Sequence, residues 1–328
     1  MPDETLKSPA LLRGFRRRLL TWYRFHKRPL PWRRTRNPYR IWVSEIMLQQ
    51  TRVNAAIEHY KRFLKSFPTV RSLASAEEAD VLTVWSGLGY YRRARMLHRA
   101  AKLVAAQPSA AIPRTADRLR ELPGIGRYTA NAIASIAFGE AVAVVDGNVE
   151  RVLSRLFAGK VSGERLWCTA QTLLDLESPG DFNQAMMELG ATICLPGAPL
   201  CHLCPVHGEC ASRGSEREKV TLPEKRSKRS ASVLLVRRRS AILLRHRSAG
   251  ERLMPAMWEL PEAQRTTSRE PLLKVKHSIT TNDWQVSVFS GNGQQAGTGE
   301  QWVPLAHICQ IPLTGLTRKI LSKLNLLS

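Results

Sequence analysis

The chain has 328 residues, with 50 Lys and Arg against 27 Asp and Glu, a formal net charge of +23 at pH 7. That length exceeds what one compact core covers, so two domains are expected, and a hydrophobic content of 43% excludes wholesale disorder. The charge calls for a polyanionic partner, nucleic acid ahead of an anionic membrane or the ribosome; Glu140 interrupts the best apolar run, Ala132 to Val145, so no span and no membrane association are expected.

The stretch from Leu11 to Arg40 is Arg-rich and acid-poor, like an organellar transit peptide, but Trp22, Tyr23, Phe25 and Trp32 predict packed, mature structure. From Leu11 to Ala211 apolar residues recur at three- and four-residue intervals, as around Ile41, Trp42, Ile46 and Leu48 and from Ala130 to Phe138, which predicts successive amphipathic helices. Phe67-Pro68, Ser86-Gly87, Gln107-Pro108, Pro123-Gly124 and Ser178-Pro179 break them. Arg213 to Ser230 is polar, charged and without an apolar period, and reads as a linker. Beyond it, Ala231 to Val236, Ala241 to Arg245 and Trp284 to Phe289 read as strands, and Leu316 to Leu327 as a closing helix. An all-α module over 1–212, a linker over 213–230 and an α+β module over 231–328 result.

Four of the six cysteines, Cys194, Cys201, Cys204 and Cys210, are spaced C-x6-C-x2-C-x5-C, with Pro196, Pro199 and Pro205 stiffening the loop. Four thiolates so close suit zinc or a [4Fe–4S] cluster in a reducing compartment better than disulfides. Zinc sites usually pair two short knuckles and only one short spacing exists here, yet chemistry alone leaves both metals open. His202 and His207 read as solvent-facing bystanders, Cys168 and Cys309 as buried small hydrophobes.

Leu122-Pro123-Gly124-Ile125-Gly126-Arg127-Tyr128-Thr129-Ala130 joins two helical segments. Gly124 and Gly126 permit positive φ and present bare backbone amides at a helix start, where a phosphate can bind. A dinucleotide-binding reading fails, since Thr129 stands where the third glycine belongs and no strand precedes; a tight helix–helix corner is the plain alternative. Twenty residues after Gly126 comes Asp146, within Val144-Val145-Asp146-Gly147-Asn148-Val149, either an N-cap or a reactive carboxylate. No acidic residue occurs between Glu4 and Glu45, while twelve Lys and Arg do. Glu45 itself is flanked by Val43, Ile46, Met47 and Leu48, and an apolar site raises a carboxyl's pKa toward that of a proton donor at neutral pH. An exposed helical glutamate is the alternative.

As a set these motifs resemble the endonuclease-III-like helix–hairpin–helix superfamily of DNA glycosylases, over Arg28 to Cys210, and within it the adenine-removing, MutY-like family. The resemblance implies a two-lobed, mainly α glycosylase domain with a [4Fe–4S] cluster on the four cysteines. It makes the glycine hairpin, with Gly124 and Gly126, the helix–hairpin–helix element, and Asp146 the catalytic carboxylate. The Leu30-Pro31-Trp32-Arg33 and Trp42-Val43-Ser44-Glu45-Ile46-Met47-Leu48-Gln49-Gln50-Thr51 segments are similar to the family signature. There the glutamate protonates a flipped adenine, with Arg28, Leu30, Trp32 and Arg33 around substrate and Leu48, Gln49, Gln50 and Thr51 entering the duplex. In Gly87-Leu88-Gly89-Tyr90-Tyr91, Tyr90 corresponds to a wedge beside the opposing base, and Glu188 matches a residue of the adenine pocket. Tyr128 would orient Glu45 or the sugar, and Asn148 would position water or Asp146. Superfamily members that also cut the backbone carry a lysine where Tyr128 stands, and no lysine occurs between Lys102 and Lys160. A monofunctional enzyme that activates water is therefore expected.

Leu253-Met254-Pro255-Ala256-Met257-Trp258-Glu259-Leu260-Pro261 is similar to a stretch of the family's MutT-like (Nudix-like) domain, but the Nudix glutamate box is missing, so no pyrophosphatase activity is expected. The family's Phe-Ser-His turn, which reads 8-oxoguanine, corresponds to Ile279-Thr280-Thr281; Thr280 keeps the hydroxyl and the Phe and His are replaced. The implied function is hydrolysis of the N-glycosidic bond of adenine opposite 8-oxoguanine or guanine in base excision repair. The expected setting is a monomer on double-stranded DNA, cytoplasmic and nucleoid-associated in a bacterium. A thymine or uracil mismatch glycosylase and a non-enzymatic iron–sulfur DNA-binding protein are the alternatives.

Overall fold

A computed structural model describes residues 8–159, 161–213, 226–248, 250–251, 253–263, 270–279, 282–291 and 296–327. The chain packs as two compact units, 1–60 with 99–221 and 61–98 with 222–328. The segment 61–98 is thus grouped with the C-terminal strands, not with the helices that flank it in sequence.

The first unit holds α1 (Pro9–His26), a 3-10 turn (Pro31–Arg34), α2 (Pro38–Leu48), the start of α3 (Val53–Ser66), the end of α6 (Arg92–Ala105), α7 (Ala116–Arg120), α8 (Arg127–Phe138), α9 (Gly147–Leu156), α10 (Glu164–Leu173) and α11 (Pro179–Thr192). Prolines at the first turn start α1, α2 and α11, where their missing N–H costs nothing. In α1, Phe15, Leu19, Trp22 and Tyr23 form one apolar stripe and share a core with Val152, Leu153 and Leu156 of α9 and Phe182, Ala185 and Leu189 of α11. Helix α2 is buried at Tyr39 and from Ile41 to Met47, because it packs against α8 and is covered on several sides.

Helix α11 crosses both α8 and α9 at close range. A Cβ on Gly190 would sit 2.7 Å from the Asn148 Cβ and 2.8 Å from its carbonyl oxygen. Contact that tight holds the start of α9 against α11. Gly190→Ala is therefore expected to destabilise the protein by about 1–3 kcal/mol, since the backbone must shift to admit the methyl group. Urea unfolding measures this, and an unchanged midpoint would show that the two helices have slack.

The second unit contains α4 (Val70–Ser75), α5 (Glu78–Trp85) and a six-stranded sheet: β1 (Ser227–Arg238), β2 (Ala241–His246), β3 (Trp258–Glu259), β4 (Leu273–Ile279), β5 (Asn282–Gly291) and β6 (Glu300–Pro304), followed by α12 (Gly315–Lys323). The order is β3-β2-β1-β5-β4, with β6 on β2; β1 and β5 run parallel, with Val233 opposite Val288, and the other pairs are antiparallel. Val233, Leu235, Val286 and Val288 face a core closed by Ile320 and Leu321 of α12. The three strands expected from apolar runs lie in β1, β2 and β5, whereas β3, β4 and β6 were not foreseen. In β4 buried Val275 sits between exposed Lys274 and Lys276, so only one side chain signals the core. Strand β1 begins at Ser227, inside the expected linker, because exposed Ser227 to Ser230 pair with β5 through backbone alone. No helix among the described residues is long and apolar enough to cross a membrane.

Candidate active site

Glu45 lies on α2 and is 5% exposed. The Tyr128 hydroxyl, from the first turn of α8, donates to its Oε2 at 2.8 Å and also lies 3.6 Å from the Met187 Sδ of α11. Burial drives the Glu45 carboxyl up, the Tyr128 bond draws it back, the Asp146 charge raises it and Arg33 lowers it, leaving it at about 7. Burial, with Glu45 and Asp146 nearby, also pushes the Tyr128 phenol well above its ordinary range, so it remains a donor. The alternative of an exposed helical glutamate is thereby excluded.

Asp146 is the N-cap of α9, its Oδ1 accepting the Val149 amide at 2.7 Å. Its Oδ2 accepts from the Asn148 amide at 2.9 Å. Capping and reactivity therefore do not compete: one oxygen closes the helix, and the other is held by a neutral donor beside the Glu45–Tyr128 pair. Asn148 is fixed in turn by Arg151, whose Nη2 donates to Asn148 Oδ1 at 2.9 Å and to the Gly190 carbonyl at 2.7 Å. The Arg151 Nε donates to the Cys194 carbonyl at 2.9 Å. Arg151 escaped the sequence reading, though its position three residues after Asn148 places both on one helical face.

Glu188, on α11, has a fully buried side chain. Its Oε1 accepts the Arg28 amide at 2.9 Å and the Arg28 Nε at 2.8 Å, and its Oε2 accepts Arg28 Nη2 at 2.6 Å and Arg33 Nη2 at 2.7 Å. Burial alone would raise this carboxyl, but the bonds from Arg28 and Arg33 hold it down at about 2. Glu188→Ala is expected to cost about 3–5 kcal/mol at neutral pH, because two arginines lose their counter-charge. The stability that Glu188 adds is present above its ordinary pKa of 4.5 and is lost as pH falls through about 2. Urea melts of both proteins at pH 7 and pH 3 should show the gap narrowing in acid; a constant gap would mean that the ion pair carries no weight.

Leu30 and Trp32 are buried, Trp32 packing edge-on against Tyr60 at 5.4 Å. Leu48 closes α2 and Gln49 donates from Nε2 to the Thr129 hydroxyl at 3.2 Å. Gln50 has φ of +55° and is exposed, and the Thr51 hydroxyl donates to the Gln49 carbonyl at 3.4 Å. Gly124 has φ of +78°, whereas Gly126 sits at −87° as N-cap of α8 with open space where a Cβ would go. Of the two glycines that permit positive φ, only Gly124 uses it, while Gly126 offers a helix start without a side-chain cap. Tyr90, in the second unit, is 48% exposed with φ of +49°. Thr280 and its neighbour Thr281 lie outside the described residues.

Cys194, Cys201, Cys204 and Cys210 line one cavity of about 420 Å³, counted to its open mouth, with Val152, Leu156, Leu189, Ile193 and Val206 as apolar walls. Burial pushes the Cys204 thiol up to about 11, the Val206 amide draws it back, and Cys194, Cys210 and Cys201 add to the rise. Arg155 donates to Cys194 Sγ at 3.3 Å. Among the described residues no three His, Cys, Asp or Glu side chains converge closely enough to hold a single metal ion. The four thiols nevertheless line the same cavity, and their chemistry suits either zinc or an iron–sulfur cluster. His202 and His207 are exposed, as expected. Cys168 and Cys309 are exposed too, against the expectation of burial; Cys168 falls on the outer face of α10, away from buried Leu166 and Ala170.

Residues 43–166 match the model of the HhH-GPD superfamily of base excision DNA repair proteins, and the matched range contains Glu45, the glycine hairpin and Asp146. Among curated proteins the chain is similar to adenine DNA glycosylases. It is 48% identical over 233 residues to the one from Rattus norvegicus, covering 63% of this chain and 45% of that protein. It is 49% identical over 222 residues to the one from Homo sapiens, covering 63% and 41%. The chain thus spans less than half the length of these two relatives. Among solved structures, a thermostable thymine-DNA glycosylase superposes with a TM-score of 0.58 at 29% identity, over 62% of this chain and 97% of that one.

Proposed function

We propose that this protein is a member of the HhH-GPD superfamily and a monofunctional DNA glycosylase that hydrolyses the N-glycosidic bond of adenine paired with 8-oxoguanine or guanine. The observation that carries the reading is the buried Glu45 carboxyl, poised at about 7 and bonded to the Tyr128 hydroxyl, with Asp146 close enough to act on its charge. Two carboxyl groups with different environments divide the labour of acid and carboxylate. Adenine is rotated out of the duplex at a cost of a few kcal/mol, which a mismatch lowers. Glu45 gives its proton to the base at N7, and the glycosidic electron pair leaves with adenine. Asp146 stabilises the cationic sugar, and water adds to C1′, returning its proton to Glu45. Tyr128 holds Glu45 in place, and Asn148 steadies Asp146. The absence of lysine between Lys102 and Lys160, with Tyr128 in the hairpin, supports hydrolysis over strand cleavage.

Gly124, the helix start at Gly126, Gln50 and the basic N-terminal segment are assigned to the duplex, as the net charge of +23 favours. The cysteine cavity is assigned a [4Fe–4S] cluster held by Cys194, Cys201, Cys204 and Cys210, beside the positive Arg155. When bound, such a cluster supplies a covalent tie across the loop that ends α11. The C-terminal sheet is assigned to lesion reading as a MutT-like domain, and Thr280, outside the described residues, is assigned to that contact on the sequence resemblance alone. No pyrophosphatase activity is assigned to it. Arg245 and Arg247 each pair with both Glu251 and Glu259, so these two acids are already neutralised.

The test is release of free base from duplexes holding A:8-oxoG, A:G, T:G and U:G, with strand integrity read on the same gel before and after alkali. Adenine release with breaks only after alkali is the expected result. Release of thymine or uracil alone would assign the chain with mismatch glycosylases. Binding without release in any duplex would leave a non-enzymatic DNA-binding protein.

A further inference from the structure

In the second unit the segment Ser86 to Tyr91 carries three positive φ angles, +104° at Gly87, +70° at Gly89 and +49° at Tyr90. A tyrosine in that region stores strain of about 1–3 kcal/mol and stays there only if its surroundings fix it. Part of the fixing is local: Trp85 Nε1 donates to the Gly89 carbonyl at 3.1 Å, and the Arg93 guanidinium lies 5.5 Å from the Tyr90 ring centroid. The rest comes from residues more than 220 positions away. The Ser86 hydroxyl donates to the Leu313 carbonyl at 3.2 Å and accepts Arg318 Nε at 2.8 Å. The Tyr91 hydroxyl donates to the same Leu313 carbonyl at 3.2 Å. On the other side of Ser86, its carbonyl accepts Arg62 Nη2 at 3.3 Å.

These groups are out of water: Ser86 is 2% exposed, Tyr91 5% and Leu313 0%. Two buried hydroxyls that share one buried acceptor leave little freedom at either end of the loop, since breaking one bond strands a polar group. Leu313 is itself tied into the sheet module by its bridge with Trp258, and Thr314 caps α12, which carries Arg318. The Leu313 carbonyl thus ties both ends of the Tyr90 loop and the Arg318 guanidinium ties its Ser86 end, while Tyr90 itself projects.

We propose that Ser86 and Arg318 are positioning residues through which the C-terminal module sets the Tyr90 loop, so that module and tyrosine engage DNA as one device. The catalytic consequence rests on the glycosylase reading; the coupling does not. It predicts that the C-terminal module affects base release even in duplexes where it has no lesion to contact, because it shapes Tyr90.

The experiment uses the full chain with Arg318→Ala, Ser86→Ala, the conservative Arg318→Lys and Tyr90→Ala, each alone and the first two combined with Tyr90→Ala. Hydrogen exchange of the free proteins is read at the amides of residues 87–90. It should rise at least tenfold in Arg318→Ala and Ser86→Ala, with α8 unchanged, and return toward wild type in Arg318→Lys. Single-turnover release of adenine from A:G should fall about tenfold in Arg318→Ala, within what misplacement of a distant positioning group costs. It should fall no further when Tyr90→Ala is already present, because the two act as a unit. Unchanged exchange at 87–90, or losses that multiply in the double variants, would overturn the proposal; thermal melting identifies a variant that is merely unfolded, and Ser86→Ala then decides. If the wild-type chain releases no adenine, the glycosylase reading fails while the exchange result still decides the coupling.

Discussion

Glu45→Gln is expected to lower single-turnover adenine release by about 10³-fold while binding to the mispaired duplex stays nearly unchanged. The estimate is that of a positioned general acid, worth about 10²–10⁴-fold. Glutamine keeps the shape and still accepts the Tyr128 bond, so the loss isolates the proton. In the wild-type protein the rate should decline as pH rises through about 7, the value at which Glu45 gives up its proton, and the variant should lack that limb. The same shift makes a stability claim. The folded carboxyl sits above its ordinary 4.5, so its contribution is fully present below that pH and disappears as pH climbs through about 7. Glu45→Gln should accordingly gain on the order of 1–3 kcal/mol relative to wild type at pH 8. Release within threefold of wild type, or a pH limb retained in the variant, would remove Glu45 from the acid role.

Asp146→Asn is expected to cost at least as much rate, about 10³–10⁴-fold, by a different route. The negative charge that faces the sugar cation disappears, and electrostatic stabilisation of a developing charge in a water-poor site is among the largest single contributions to rate. Geometry adds to the loss. Asn148 now donates from Nδ2 to Asp146 Oδ2; an asparagine that keeps the helix cap turns its own NH₂ toward that donor, and the two repel. Folding should hardly notice, because asparagine caps a helix about as well as aspartate, whereas Asp146→Ala should lose about 1 kcal/mol. The decisive measurement sets rate beside melting temperature: a slow Asp146→Asn with a wild-type melt supports the assignment, and near-normal turnover sinks it.

Single residues with an unusual neighbourhood were legible in the sequence. Glu45 announced itself as an acid among apolar residues after a long basic stretch, Asp146 as an acid between an apolar run and a helix, and the four cysteines by spacing. The helical character of 1–212 followed from its period. What stayed hidden depends on residues meeting across the chain. Nothing local to Glu188 says that Arg28 and Arg33 will close on it, since their partner is some 160 positions away, and burial of that carboxylate is affordable only once they do. The donor to Glu45 is the Tyr128 hydroxyl, which the hairpin motif placed but could not aim. Segment 61–98 reads as more of the same helices, and its grouping with the sheet is decided by buried bonds such as Ser86 to Leu313. Strands β4 and β6 were missed because a short or half-polar strand is specified by its neighbours' ladders more than by its own side chains.

The division of the second unit between 61–98 and 222–328 also has a timetable. On a ribosome, Ser86 and Tyr91 emerge long before Leu313; at about 5–20 residues per second the interval is roughly 10–40 s. During it, their hydroxyls lack the Leu313 carbonyl and α5 lacks its neighbour Leu305–Gln310. Nascent chains stalled ahead of residue 313 should therefore be cut by protease near Gly87 to Gly89 and recruit holdase chaperones, and both effects should vanish once α12 has cleared the exit tunnel.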